Sequence, residues 1–330
     1  MGGSADGPAL HAEHVLRPAR GPRLAAIPRP SDGFRARQHE GGLMARAVVA
    51  LLSDPHLSRR RAYTVPAWHH VRSEITALAL AATIVAGDLV FDDCDDADDR
   101  AFAAAAVAGL PGDVRLIPGN HDVGDNVAEP WMGQSVTAGR VEAFLATHGT
   151  DRFAIDIADW RIVGLNAQLF GTGLAREDEQ WSWLDDVMRD AGQRPVVLVL
   201  HKPLAVWTSS EAEVPNCVGR AAQARLTAAT QRGRVRLVVS GHYHHHRSVV
   251  LGGTPQLWLP STALVGRASH DLEPFAQRSP GFVALSLDGE DASFAHVATQ
   301  PALAVDPVHL AALHGEAPRH WPELNEASQP

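Results

Sequence analysis

Cysteine is scarce: the chain of 330 residues contains two, Cys94 and Cys217. Two thiols cannot build a disulfide framework, so a reducing compartment is the simpler setting. Long apolar runs are missing as well. No stretch approaches the roughly 20 residues of a membrane helix, and the N-terminal region lacks the compact apolar segment of a secretory signal. Cytoplasmic location is therefore the expectation, with no membrane partner. Positive charge is in deficit, with 29 Lys and Arg against 38 Asp and Glu and a formal net charge of -9. Nucleic acids and anionic membrane surfaces recruit a basic face, so this balance argues against both as partners. There is no internal repeat, and no G-x-S-x-G elbow of the kind serine hydrolases use.

What is present reads as an ordinary globular domain, 45% hydrophobic and 20% charged. Residues 1–43 are rich in Gly, Pro, Ala and Arg without periodicity and predict a loosely structured arm. Residues 44–300 predict one globular domain, and 301–330 a poorly ordered tail with one short helix. Inside the domain, short β-rich runs recur at 48–53, 83–87, 114–119, 195–201 and 235–242. Helix-like stretches at 67–82, 98–110 and 177–192 lie between several of them. That alternation predicts an α/β domain. Two hairpins, over 153–166 turning near Asp159 and over 281–297 turning at Asp288 and Gly289, make mixed sheets the expectation rather than one parallel sheet.

Each of the five runs ends in groups able to bind a metal: Asp54 and His56; Asp88; Asn120, His121 and Asp122; His201; and His242 and His244. Taken singly, such endings are commonplace, since an Asp after a strand caps a turn and a lone His is usually a hydrogen-bonded structural residue. Five in succession are different, because the carboxyl ends of strands are where sites assemble in open α/β sheets. In the tract 240–247, an extended chain would put His242, His244 and His246 on one side, and parity leaves all three as candidates.

Taken together, D-P-H at 54–56, G-D at 87–88, G-N-H-D at 119–122, His201 and G-H-Y-H at 241–244 resemble the calcineurin-like metallophosphoesterases, in particular bacterial phosphodiesterases of that family. The resemblance implies a four-layer α/β sandwich, two packed mixed β-sheets flanked by helices. It implies one metal held by Asp54, His56, Asp88 and His244, and another by Asp88, Asn120, His201 and His242, with Asp88 as the bridge. The expected cofactors are two divalent or mixed-valence ions, Mn, Fe or Zn, because imidazole and carboxylate suit such ions and no cysteine cage is present. The implied reaction is hydrolysis of a small organic or nucleotide phosphodiester by a metal-bridging hydroxide. His121 would act on the leaving oxygen, with Asp122 orienting its imidazole.

The nearest alternative is a phosphomonoesterase. A nuclease, or a non-catalytic binding module on the same fold, ranks behind it, and a homo-oligomer stays open. Lys202 and Arg247 flank proposed ligands and could hold a second phosphate oxygen, which would favour monoesters. Trp131 and Trp207 follow site loops and could stack a base, and Asn166 could reach the pocket from its turn. Many cyclic-nucleotide members follow the ligand histidine with a second histidine and prolines, whereas Lys202 and Pro203 follow His201 here. The six aspartates of "DDCDDADD" at 92–99 lack calcium-loop spacing and predict a charged, solvated lead into a helix.

Overall fold

The computed structural model describes residues 46–127, 130, 133–206, 216–231, 234–251, 253–266 and 276–314. The arm at 1–43, Trp131, Trp207 and the end of the C-terminal tail lie outside the described residues.

Two mixed sheets form the centre. The first has five strands, in the order β11 (Asp291–Ala298), β10 (Gly281–Asp288), β1 (Ala47–Leu52), β2 (Ala82–Val85) and β3 (Asp113–Leu116). The second has six, in the order β4 (Phe153–Ile157), β5 (Trp160–Gly164), β6 (Val196–Leu200), β7 (Val235–Ser240), β9 (Thr254–Trp258) and β8 (Arg247–Leu251). Strands β1, β2 and β3 run parallel, as do β5, β6, β7 and β9. Their carboxyl ends are therefore collected at one edge of each sheet. Both expected hairpins are present, as β4 with β5 and β10 with β11.

The period-two geometry of a strand explains why β1 reads as a continuous apolar run. Val49 and Leu51 enter the core between the two sheets, while Ala50 and Leu52 face the other way into the layer beneath the helices. In β6, Val197 and Val199 point into the intersheet core, and Val196, Leu198 and Leu200 point outwards. On the outer face of the first sheet pack α1 (Val65–Thr76), α2 (Ala97–Ala108) and α4 (Ala138–His148), which contribute Trp68, Ile75, Val107 and Phe144. On the second pack α5 (Ala175–Asp190) and α6 (Arg220–Gln231), with Trp181, Leu184 and Leu226. These are the four layers the resemblance implied. Truncating a fully buried residue such as Leu51 or Ile84 to Ala should cost about 2–5 kcal/mol.

Local chemistry sets the helix ends. Asp96 caps α2 by accepting from the amides of Asp98 and Asp99, so the aspartate run is a helix lead. It is only partly solvated, since Asp92 and Asp99 are buried. Thr137 caps α4 through the Arg140 amide, and Gly149 ends it in the left-handed conformation at φ 79°. Beyond residue 300 the chain is better anchored than its composition suggests. Val305 bridges to Leu264, and Leu310 on α7 (Pro307–His314) packs on Phe91. Among the described residues, no helix is long and apolar enough to cross a membrane.

Candidate metal centre

Six of the seven proposed ligands lie in loops that leave β1, β2, β6 and β7, the seventh, Asn120, opens the short helix α3 (Asn120–Val123) after β3, and the two sheets bring these segments to one place. Seven non-glycine residues among those described have positive φ, and five of them are proposed ligands: Asp54 (52°), His56 (47°), Asp88 (55°), His242 (71°) and His244 (57°). The left-handed region costs roughly 1–2 kcal/mol per such residue. That cost is tolerated where surrounding packing holds the backbone, as it does at functional sites. Two glycines let the loops close on one another. A Cβ on Gly119 would overlap Asp88 Oδ1, and one on Gly241 would overlap Ser53 Oγ and lie 2.6 Å from Asp54 Oδ2. Ser261 Oγ donates to the Asp54 carbonyl at 2.6 Å, and the Asp54 carboxylate accepts from the His242 amide at 3.0 Å.

Donor atoms gather into two groups. Asp54, His56, Asp88 and His244 each offer an atom within 4.8 Å of the others, and so do Asp88, His201 and His242. Asp88 belongs to both groups. Asn120 joins the second through Oδ1, 3.1 Å from His201 Nε2. Of the tract 240–247, His242 and His244 fall in these groups. His245 Nδ1 instead lies 2.5 Å from the Tyr243 carbonyl, and His246 stacks on His296 with ring centroids 4.7 Å apart.

The proton positions give the test of whether metals fit. His56 Nδ1 lies 3.2 Å from the Phe91 carbonyl and His201 Nδ1 lies 2.7 Å from the Ala86 carbonyl. A carbonyl only accepts, so each Nδ1 carries a proton, and in the neutral ring each Nε2 presents a lone pair. Yet His201 Nε2 meets Asp88 Oδ2 at 3.2 Å and Asn120 Oδ1 at 3.1 Å, and His56 Nε2 meets Asp88 Oδ2 at 3.7 Å. Acceptors facing acceptors at such distances in a buried site call for a cation between them, and the donor set suits a divalent transition metal.

Electrostatics point the same way. Burial works against ionisation of Asp54 and Asp88, but His244 and His201 outweigh it for Asp54, and His201 and His121 for Asp88. Both carboxyls are lowered, Asp88 well below the usual range. Burial, reinforced by His121, depresses His56 to about 3, and burial with His201 holds His242 well below its usual value. Neutral imidazoles are what metals bind. His201 is the exception: burial opposes its protonation, but Asp88 and then Asp54 prevail and raise it to about 9.

His121 stands beside this cluster. Its amide donates to Asp88 Oδ1 at 2.8 Å, its ring meets that of His56 edge-on at 4.7 Å, and its Nδ1 is buried without a hydrogen-bond partner among the described residues. Asp122 is buried, and its oxygens accept from the amides of Leu89 at 2.9 Å, Val90 at 3.2 Å and Gly119 at 2.8 Å. Its hydrogen bonds therefore run to the loop backbone and not to the His121 imidazole. Asp122 ties the Asp88 loop to the Asn120 loop and steers His121 only through the main chain. Burial and then the Asp88 charge push its carboxyl up to about 7, despite the donating amides.

Three other candidates are placed elsewhere. Lys202 is fully buried against Asp125, and buried Arg247 lies over the Trp258 ring and donates to the Val206 carbonyl at 3.0 Å. Neither is a solvated cation or a free hand for phosphate. Asn166 is buried too, capping the turn Ala167–Leu169 and bonding Gln180 and Asp151. The acidic segment at Asp93, Cys94 and Asp95 could also gather round a cation, but Gln134 binds Asp93 and Cys94, and Arg140 takes both oxygens of Asp95. Sequence reasoning passed over Ser261 and Gly241 as site-shaping residues. The only early sign of either is the glycine directly before His242.

The layered fold and its donor-lined strand ends are those of a metallophosphoesterase. The profile of the calcineurin-like phosphoesterase family matches residues 47–246, well over half of the chain, and the chain belongs to that family. A Synechococcus protein named as a probable cyclic nucleotide phosphodiesterase is 26% identical over 240 residues, covering 68% of this chain and 84% of its own. The human serine/threonine-protein phosphatase CPPED1 is 28% identical over 148 residues, 43% of each chain. Among solved structures, the purple acid phosphatase PPD1 of yellow lupin superposes with a TM-score of 0.58 at 12% identity, covering 80% of this chain and 56% of its own. A dimetal phosphatase from Danio rerio gives 0.51 at 14% identity, covering 77% and 99%. At such identities the superpositions establish the fold alone.

Proposed function

We propose that the protein is a binuclear metal-dependent phosphodiesterase acting on a small organic or nucleotide phosphodiester. The observation that carries this reading is the pair of buried acceptor clusters sharing Asp88. Asp54, His56, Asp88 and His244 would hold one divalent cation, and Asp88, Asn120, His201 and His242 the other. When bound, such a pair supplies hydroxide near neutral pH as an in-line nucleophile and offsets charge on the phosphoryl oxygens.

The chain's own residues do the rest. Asp88 gives one oxygen to the His121 amide and the other to the His201 side, so one carboxylate fixes both the bridge and the loop carrying the proton donor. His121 is outside both donor groups and only half-buried, so its ring can reach a departing oxygen. Burial of Lys202 and Arg247 supports the diester, since neither is available for the extra charge of a monoester. The name of the Synechococcus relative supports the same class.

A phosphomonoesterase is the second reading, favoured by the name of the human relative. Steady-state rates on bis(nitrophenyl) phosphate and nitrophenyl phosphate separate them, and a clearly faster monoester would overturn the diester assignment. Asp88→Ala should remove metal-dependent hydrolysis of both esters from a folded protein. Hydrolysis at the unaltered rate would refute the mechanism.

A further inference from the structure

Lys202 is the only lysine among 330 residues, and its side chain is 0% exposed. Its Nζ lies 2.5 Å from Asp125 Oδ1 and 2.6 Å from Asn126 Oδ1. A buried ammonium is costly unless it is paired and its protons are used, and here the partners come from a different loop, on the other sheet. Lys202 follows His201 at the end of β6, while Asp125 and Asn126 follow the short helix Asn120–Val123 beyond β3. Asn126 carries the link further, its Nδ2 donating to the carbonyls of Ala167 at 3.1 Å and Phe170 at 2.8 Å beyond β5.

The second group of donors straddles this same junction. Asn120 comes from the five-stranded sheet and His201 from the six-stranded one, and no strand ladder joins the two sheets. His201 is aimed by its Nδ1–H donating to Ala86 O. Among the described residues, the one polar side-chain contact of Asn120 is Oδ1 to His201 Nε2 at 3.1 Å. What sets its distance from His201 must act through the loop that carries it.

We propose that Lys202, Asp125 and Asn126 form a clamp across the two sheets that fixes the separation of Asn120 and His201, and so sets the affinity of the second cation position. All three are positioning residues. The inference rests on the binuclear reading and deepens it by separating the two positions: no ligand of the first, Asp54, His56, Asp88 and His244, adjoins a clamp residue in the chain, whereas His201 of the second adjoins Lys202.

The test is calorimetric titration of Mn²⁺ into the full-length, metal-free protein. Lys202→Met with Asp125→Leu removes both charges together, so neither is stranded in the interior, and Asn126→Ala removes only the third leg. The expected result is a first Mn²⁺ bound as in the wild type and a second bound about 10–100-fold more weakly in the double variant, the usual effect of losing an outer support, with a smaller loss in Asn126→Ala. Circular dichroism verifies folding. An unchanged second affinity in a folded double variant, or equal loss at both positions, overturns the clamp. Should the double variant not fold, Asn126→Ala decides by the same criteria. A wild-type protein that binds fewer than two Mn²⁺ refutes the binuclear reading instead, which is a separate failure.

Discussion

Oδ2 of Asp88 lies 3.2 Å from Nε2 of His201, whose other nitrogen is committed to the Ala86 carbonyl. That contact keeps His201 protonated in the metal-free protein, at about 9. A cation at the second position must therefore displace a proton. Loading at about pH 7 should release roughly one proton per chain from His201, beyond any lost by metal-bound water, and this share should fade as the pH passes 9. Calorimetry in two buffers of different ionisation enthalpy measures it. A heat independent of buffer at neutral pH would contradict the assignment of His201 as a ligand.

His121 should behave as an acid towards the leaving group. His121→Asn is expected to leave metal content unchanged and to lower kcat by about 10²- to 10⁴-fold for an alkyl ester. The loss should shrink for a nitrophenyl ester, whose leaving group needs little protonation. An equal loss for both esters would assign His121 to ground-state positioning.

Much of the site was legible because metal chemistry restricts residue type and α/β topology restricts place. Asp54, Asp88 and His201 each close an apolar run, and the runs were visible from composition alone. The environment of Lys202 was not legible: its partner Asp125 is 77 positions away and belongs to a loop of the other sheet. The role of Asp122 is hidden for a related reason: adjacency to His121 points to a side-chain contact, whereas the short helix aims the carboxylate at the amides of Leu89 and Gly119. In the fold, sheet membership was hidden. The runs ending at Asn120 and His201 read alike, and only long-range pairing sends β3 to one sheet and β6 to the other. The β8–β9 hairpin also went unread, because Pro255 and the glycines between Leu251 and Thr254 mask its alternation.

Gly241 should tolerate no side chain. In Gly241→Ala the new methyl would meet Ser53 and Asp54, displacing the loop that carries His242 and His244. Overpacking of this kind costs about 1–3 kcal/mol, and the displaced ligands should weaken metal binding at both positions. Denaturant midpoints and metal content check the two effects. Wild-type values for both would show that the loops do not need their close approach.

His148 makes stability depend on pH away from the metal centre. It ends α4, its ring lies 4.5 Å from that of Phe144, and burial lowers it to about 4. The folded-state value lies below the ordinary 6.5, so the unfolded chain takes up the proton more readily. The contribution of neutral His148 is complete above about pH 6.5 and is lost as the pH falls towards about 4. At about 1.4 kcal/mol per unit the full shift would exceed 3 kcal/mol, and partial solvent access reduces the expected loss to about 1–2 kcal/mol. His148→Gln cannot charge, so between about pH 7 and about pH 4.5 it should lose less stability than the wild type by that amount. Denaturant unfolding of the two metal-free proteins gives the comparison, and because the histidines of the metal centre titrate in both, the difference isolates His148. Parallel pH profiles would mean that the ring is solvated in the folded protein.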